Sequence, residues 1–396
     1  MGTSVGIGFS TRRSPMEAGS EAARTALEQA GVSKPDLVIV FATVGYQQQQ
    51  LIGAIREVTS GAPLCGCSGE GIIVQDAVVE TNFAVGVMAI ASDEVSFNIT
   101  SVTGIGEDPR IAGESLAEKV CPLLAEDSRA FFLLADGLAF DFDPFVAAFE
   151  ATLPASGRLP IFGGLAADNW ASRKTYQYHN DEILSQGACC IVLSGNCRVA
   201  WGINHGCVPV GAKRTITRSK GNVIFEIDGT PALEVLKEYV DEDWAVKWNK
   251  ATLNLGLGFR TPEHLRERYD EYYVRYIMAK DDEAGSVTIQ SDVTDGTDLW
   301  IVRRDKELML DGLKSIPRQI KEDLAGQKPK LVLQFECMGR GRVVFKEQER
   351  MDLVKSLQRD LGEELPWLGF YTYGEIGPIS RYNCFHNFTS VVAVIY

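Results

Sequence analysis

At 396 residues, with 45% hydrophobic and 23% charged side chains, the chain has the make-up of an ordinary globular protein, and its length points to two domains rather than one core. Acidic residues outnumber basic ones by 53 to 39, for a formal charge of −14, which argues against nucleic acid as the main partner because phosphate recognition needs a clustered basic surface. No apolar run approaches the ~20 residues of a membrane helix, the N-terminus lacks a signal-peptide pattern, and nine cysteines fit reduced thiols, so a cytoplasmic protein with no membrane partner is expected.

Residues 4–9 read as a strand. Ser14 as N-cap, Pro15 at the first helical position and Glu17 closing a capping box then open a helix, and Gly31 ends it. The apolar run 37–42 reads as a parallel strand covered on both faces. A helix over 46–58, with Leu51, Ile52 and Ile55 on one side, returns the chain to a strand over 63–67. Runs 82–90 and 95–102 are so closely linked that an antiparallel hairpin is expected. A helix over 111–124 precedes a second strand–helix–strand unit at 130–135, 145–153 and 160–164. Strands follow at 187–193 and 198–206. Thr230 and Pro231, opening a helix over 232–239, mark a seam between halves 1–225 and 226–396. The second half offers strands at 272–278, 286–290 and 299–302, a helix over 308–324, and a third unit at 329–335, 346–361 and 366–371 before the closing strand 390–396.

The spacing from each unit's first strand to the glycine of its second is 29 residues (Leu37 to Gly66), 32 (Phe131 to Gly163) or 38 (Leu331 to Gly369). A βαβ crossover needs about 30 or more. The expected class is therefore α/β: two domains of mixed sheets, built from βαβ crossover units with added antiparallel strands. Three glycine-rich turns would then lie at the carboxyl ends of parallel strands, where open α/β sheets bind ligands.

These turns read Gly66-Cys67-Ser68-Gly69-Glu70, then Phe162-Gly163-Gly164 with Ala167-Asp168, then Tyr373-Gly374-Glu375-Ile376 with His386-Asn387-Phe388-Thr389. In that order, on those strands, they resemble the FIST family of bacterial sensory modules, whose N-terminal and C-terminal halves are proposed to bind small ligands. The resemblance implies a free-standing signal-transduction protein whose output passes to a separate signalling chain such as a histidine kinase. One branch of the family resembles haem-based nitric-oxide sensors, which would make His386 or His205 the axial candidate.

The candidate site is drawn from these turns. Ser68 and the glycines around it present hydroxyl and backbone N–H groups to a polar ligand. Asp168 and Asn169 add polar contacts, as do His386 and Asn387. Glu70 and Glu375 occupy matching positions in two units and, facing one cleft, would hold a ligand ammonium. Arg340, with Arg342 beside it after the strand 331–335, would take a carboxylate or phosphate by bidentate hydrogen bonds. Paired with Glu375 it predicts an amino acid or similar small polar metabolite. Cys65 and Cys67 lack a second ligand pair, so metal is rejected. A hydrolase or transferase using Ser68 or Cys67 is the alternative, but G-x-S-x-G is absent and no base adjoins the serine in sequence.

Overall fold

The computed structural model describes residues 2–240 and 248–396. Three six-stranded sheets share one connectivity. In the first unit the order is Thr3–Ser10, Val85–Ser92, Leu37–Ala42, Leu64–Ser68, Gln177–His179, Glu182–Leu184. In the second it is Val95–Thr103, Gly187–Gly195, Ser128–Ala135, Ile161–Leu165, Glu375–Ile379, Tyr382–His386. In the third it is Val199–Asn204, Ser390–Ile395, Leu331–Cys337, Trp367–Thr372, Ile72–Val74, Val78–Val79. The third and fourth strands of every unit run parallel, joined by the helices Gln48–Val58, Phe142–Thr152 and Glu347–Leu361. All other neighbours are antiparallel. The α/β class and the three crossovers are as the sequence predicts.

The outer hairpins are exchanged in a ring. The hairpin that follows the first unit's crossover joins the third sheet, that of the second joins the first, and that of the third joins the second. The two halves of the sequence are thereby interleaved. The hairpin expected at 82–102 does not form: Val85–Ser92 closes the first sheet, whereas Val95–Thr103 opens the second. The tight link between them is a step from unit to unit, and a short connection alone does not distinguish the two outcomes.

Alternation along the central strands explains the packing. Ile39 and Phe41 face inward, with Cys67, Phe132, Phe162, Phe335 and Phe370 from all three sheets in one core, whereas Val38 and Val40 face the covering helices. Phe41 and Phe370 meet at 4.3 Å across two units. Gly66, Gly163 and Gly369 sit opposite Val40, Leu133 and Gln334 on the neighbouring parallel strand. A Cβ at these glycines would lie 1.9, 1.9 and 2.5 Å from those residues' carbonyl oxygens, so each crossover needs glycine for close backbone approach. The first helix, Pro15–Ala30, starts and stops as its sequence dictates: Ser14 Oγ accepts from Glu17 N–H, and Gly31 takes φ 67°.

The third unit differs by an insertion. Between Val199–Asn204 and the helix Lys306–Leu324 lies a closed antiparallel barrel of Arg214–Lys220, Val223–Ile227, Ser286–Ile289, Tyr272–Asp281, Leu255–Arg260 and Asp298–Arg304. Its own core gathers Ile216, Leu257, Phe259, Ile277, Val287 and Ile301. The seam at residues 225 and 226 falls within the barrel strand Val223–Ile227.

Candidate functional site

The carboxyl ends of the parallel strands meet, as the turn motifs require. Glu70 N–H donates to Tyr371 O at 2.9 Å, Ala167 N–H to Ser68 O at 3.0 Å, and Leu165 N–H to Gly374 O at 2.8 Å. The barrel is seated against these ends by the segment 385–389. Arg275 donates to Phe385 O at 2.9 Å, Tyr276 N–H to Asn387 Oδ1 at 3.0 Å, and Asn387 Nδ2 to Gln290 Oε1 at 2.6 Å.

Between barrel and turns lies a cavity of about 280 Å³. The turns contribute Leu138, Trp170, Ser172, Met338, Gly339 and Tyr373 to its wall. The barrel contributes Tyr276, Met278 and Gln290, and Asn387 and Phe388 join the two. Aromatic and apolar side chains dominate, with a few amides and hydroxyls, and none of the described lining residues is charged. A small, mostly apolar hollow between two structural bodies with a few fixed polar groups is the usual form of a ligand site. Two larger hollows, about 460 and 470 Å³, open along the outer faces of Pro15–Ala30 and Lys306–Leu324, and none of the glycine-rich turn residues lines either.

Behind the wall runs a buried polar network. Trp170 N–H donates to Glu70 Oε2 at 3.1 Å and to the Tyr373 hydroxyl at 3.0 Å, while that hydroxyl donates to Asp168 Oδ1 at 2.7 Å. Asp168 also accepts from the N–H groups of Ser172, Arg173 and Lys174, which shapes the turn. Asn169, Trp170 and Ser172 have φ of 57°, 62° and 47°, a left-handed run that these anchors hold in place. On its far side Glu70 accepts from Arg342 Nη2 at 2.8 Å. Burial pushes its carboxyl up to about 8 against the pull of Arg342, and Glu80, which accepts from Arg350 and Arg342 N–H, up to about 7.

Of the residues picked out from the sequence, Tyr373 and Asn387 line the hollow, with Glu70, Asp168 and Asn169 in or beside the network behind it. Gly66, Gly163, Gly164 and Gly374 give room for close packing. Others take different roles. Glu70 and Glu375 are not equivalent: Ile376 pairs with Gly163 as Ile73 does with Gly369 and Tyr178 with Gly66, so Glu375 corresponds to Ile72 and Gln177. Its buried carboxyl accepts from Thr372 Oγ1 at 2.5 Å and Thr389 N–H at 3.1 Å, and burial raises it well above the usual carboxylate range. Arg340 pairs instead with Glu336 at 2.6 Å and donates to His205 O at 3.1 Å. Neither Glu70 nor Glu375 reaches the wall to meet an ammonium.

The Ser68 hydroxyl donates to Ala167 O and accepts from Tyr176 N–H, contacts that include no base. Cys67 lies in the central core with its thiol pushed up by burial. His386 has Tyr269 Oη at 3.1 Å from Nδ1 and Gly377 O at 2.9 Å from Nε2, and burial holds it neutral, down at about 3. His205 likewise accepts from Cys207 N–H at Nδ1 and faces Tyr272 O at Nε2. With both ring nitrogens engaged, neither histidine fits an axial haem ligand. Among the described residues no cluster of His, Cys, Asp and Glu forms a metal site, and no helix is long and apolar enough to cross a membrane.

Residues 36–230 match the FIST N domain and residues 232–378 the FIST C domain. The chain belongs to the FIST family. FIST domains are sensory domains of signal transduction. An uncharacterized protein of Mycobacterium tuberculosis (strain ATCC 25618 / H37Rv) is 26% identical over 98% of this chain and 99% of its own length. An uncharacterized protein of the archaeon Methanocaldococcus jannaschii is 25% identical over 80% of this chain and 64% of its own. Among solved structures, a chorismatase (TM-score 0.36) and a cyanuric acid hydrolase from A. caulinodans (TM-score 0.38) each align over 100% of this chain and 99% of theirs, at 9% identity. Both FIST portions wall the hollow: Trp170 comes from the N domain, Gln290 and Tyr373 from the C domain. Trp170, Tyr276 and Gln290 were not legible beforehand. Trp170 adjoins the motif Asp168-Asn169, and that adjacency is the one signal the sequence carries, while Arg342, expected beside Arg340 to take an anion, binds Glu70 instead.

Proposed function

We propose that this chain is a small-molecule-binding sensory module in which a ligand held in the 280 Å³ hollow sets how the barrel seats on the strand-end turns. A separate signalling protein, for which a histidine kinase is one candidate class, then meets a different surface. The observation that carries this reading is the hollow's position: one wall is barrel, the other is formed by strand-end turns of the second and third units, and the segment 385–389 ties them. Any molecule bound there contacts both bodies, and a ligand shifts an equilibrium only by binding its two states differently. The aromatic wall of Trp170, Tyr276, Tyr373 and Phe388 favours a ligand with a flat, apolar body. With no carboxylate on the described wall, the amino-acid reading loses the group that would hold its ammonium.

Native mass spectrometry of the purified protein, followed by thermal-shift screening, identifies what binds. Met338→Trp fills the hollow and should abolish retention of that molecule, whereas Lys314→Ala on an outer helix leaves it unchanged. A ligand indifferent to Met338→Trp overturns the assignment.

A further inference from the structure

We infer that the ligand of this hollow carries an anionic group, most simply a carboxylate, read by Arg304. The inference rests on the hollow being the ligand site. Arg304 ends the barrel strand Asp298–Arg304 and lies one backbone layer behind the wall. Its Nη1 donates to Gly339 O, its Nη2 to Asn254 Oδ1 at 3.0 Å, and the guanidinium lies 5.7 Å from the Phe388 ring centre. All its partners are neutral. No described carboxylate pairs with it, and its Nε is buried without an acceptor among the described residues.

Two buried arginines of this region differ from it in having a carboxylate partner. Arg340 has Glu336 and Arg350 has Glu80, whereas the buried Arg275, like Arg304, has neutral hydrogen-bond partners, Ser291 Oγ and the carbonyls of Val274 and Phe385. A guanidinium removed from water normally gains a carboxylate partner, because desolvation disfavours its charge. Here the screen between cation and hollow is thin, because the intervening wall residue is a glycine. A Cβ at Gly339 would stand 3.2 Å from Arg304 Nη1, 3.2 Å from the Phe388 ring and 3.4 Å from Cys337 Sγ. Gly339, Phe388 and Cys337 all face the hollow, so its floor lies in the field of a positive charge that no described carboxylate pairs. Glu375, whose carboxyl burial favours in the neutral form, contacts the Cys337 thiol and leaves that field uncancelled. At the wall, Gln290 Oε1 already accepts from Asn387, and its Nε2 has no described partner, so a free donor is offered there as well. Field and donor select an oxygen-rich anion on an apolar body.

The test uses benzoate and benzamide, which share a ring and differ in charge, with affinities from ligand-observed NMR on the full chain. Wild-type protein should bind benzoate at least about tenfold more tightly than benzamide, a factor equal to about 1.4 kcal/mol. Arg304→Gln should bring the ratio to about one, and Arg304→Lys, which keeps the charge, should retain part of it. Should Arg304→Gln fail to fold, the wild-type ratio and the lysine variant still decide. No preference for benzoate, no benzoate binding, or a ratio unchanged in Arg304→Gln overturns the acid class. Binding of both compounds without preference, lost in Met338→Trp, sinks the acid class alone. Binding that survives Met338→Trp sinks the hollow itself.

Discussion

A single hydroxyl shows how closely the strand ends depend on one another. Tyr373 Oη donates to Asp168 and accepts from Trp170 N–H, so the third unit's turn holds the second unit's turn in its left-handed course. Tyr373→Phe removes one partner from each group, Trp170 N–H keeping Glu70 and Asp168 keeping Ser172 N–H, and should cost about 0.5–1.5 kcal/mol. Urea denaturation would read this as a lower midpoint at constant m, and an unmoved midpoint would show the contact to be dispensable. Glycine gives a sharper contrast. Gly66→Ala drives a methyl to within 1.9 Å of Val40 O and should destabilise by about 3 kcal/mol. Gly53→Ala, exposed within Gln48–Val58 and with nothing nearby, should stabilise by about 0.5–1 kcal/mol. Equal effects in the two variants would refute the close-approach account.

Among the elements, the barrel is the one that the other two units lack. In those units the first strand leads directly to its helix, whereas in the third the chain leaves at residue 205 and returns at 305. The insertion is closed at its base: Cys207 pairs with Arg304, and Asp305 N–H donates to Gly206 O at 2.9 Å. Its ends are adjacent, so replacing residues 207–304 by a short Gly-Asn turn leaves the three sheets uninterrupted. The shortened chain should keep a cooperative unfolding transition and lose ligand binding, checked by circular dichroism and by the ligand assay. A non-cooperative product would mean that the seat at 385–389 is needed for the core to form. The same seat explains His386 and Asn387, which bind barrel residues Tyr269 and Tyr276 and hold the two bodies together.

For the molecule as a whole, the buried ionisable groups set opposite limits on pH. His386 lies near 3 in the folded chain against 6.5 unfolded, so its contribution is present above about pH 6.5 and is lost as pH falls toward 3. Glu70 and Glu80 lie near 8 and 7 against 4.5, so their contribution is full below about pH 4.5 and is lost as pH rises through 7 and 8. Above about pH 4.5 the two carboxyls outweigh the one histidine, so these groups place the maximum near pH 4.5, and the joint variant Glu70→Gln, Glu80→Gln should flatten the decline in Tm between pH 6 and 8. A wild-type Tm that rises over that interval would reverse the assignment of these carboxyls.

What residues 1–396 determined unaided is local or repeated. Ser14, Pro15 and Gly31 marked a helix, apolar runs marked buried strands, and the spacing from Leu37 to Gly66 and its two counterparts marked crossovers. Glycine, proline and hydrophobic period act over a few residues, so they can be read without the fold. Pairing between strands cannot, because a backbone edge offers the same N–H and C=O groups whatever its side chains. Hence the exchange of hairpins, the separation of Val85–Ser92 from Val95–Thr103 and the two-residue offset between Glu70 and Glu375 emerged only once register was known. Charge partners depend on the same long-range choice. Arg340 and Arg342 are neighbours in sequence, yet one faces Glu336 and the other Glu70. Only the packed barrel decided which face of the turns became a hollow.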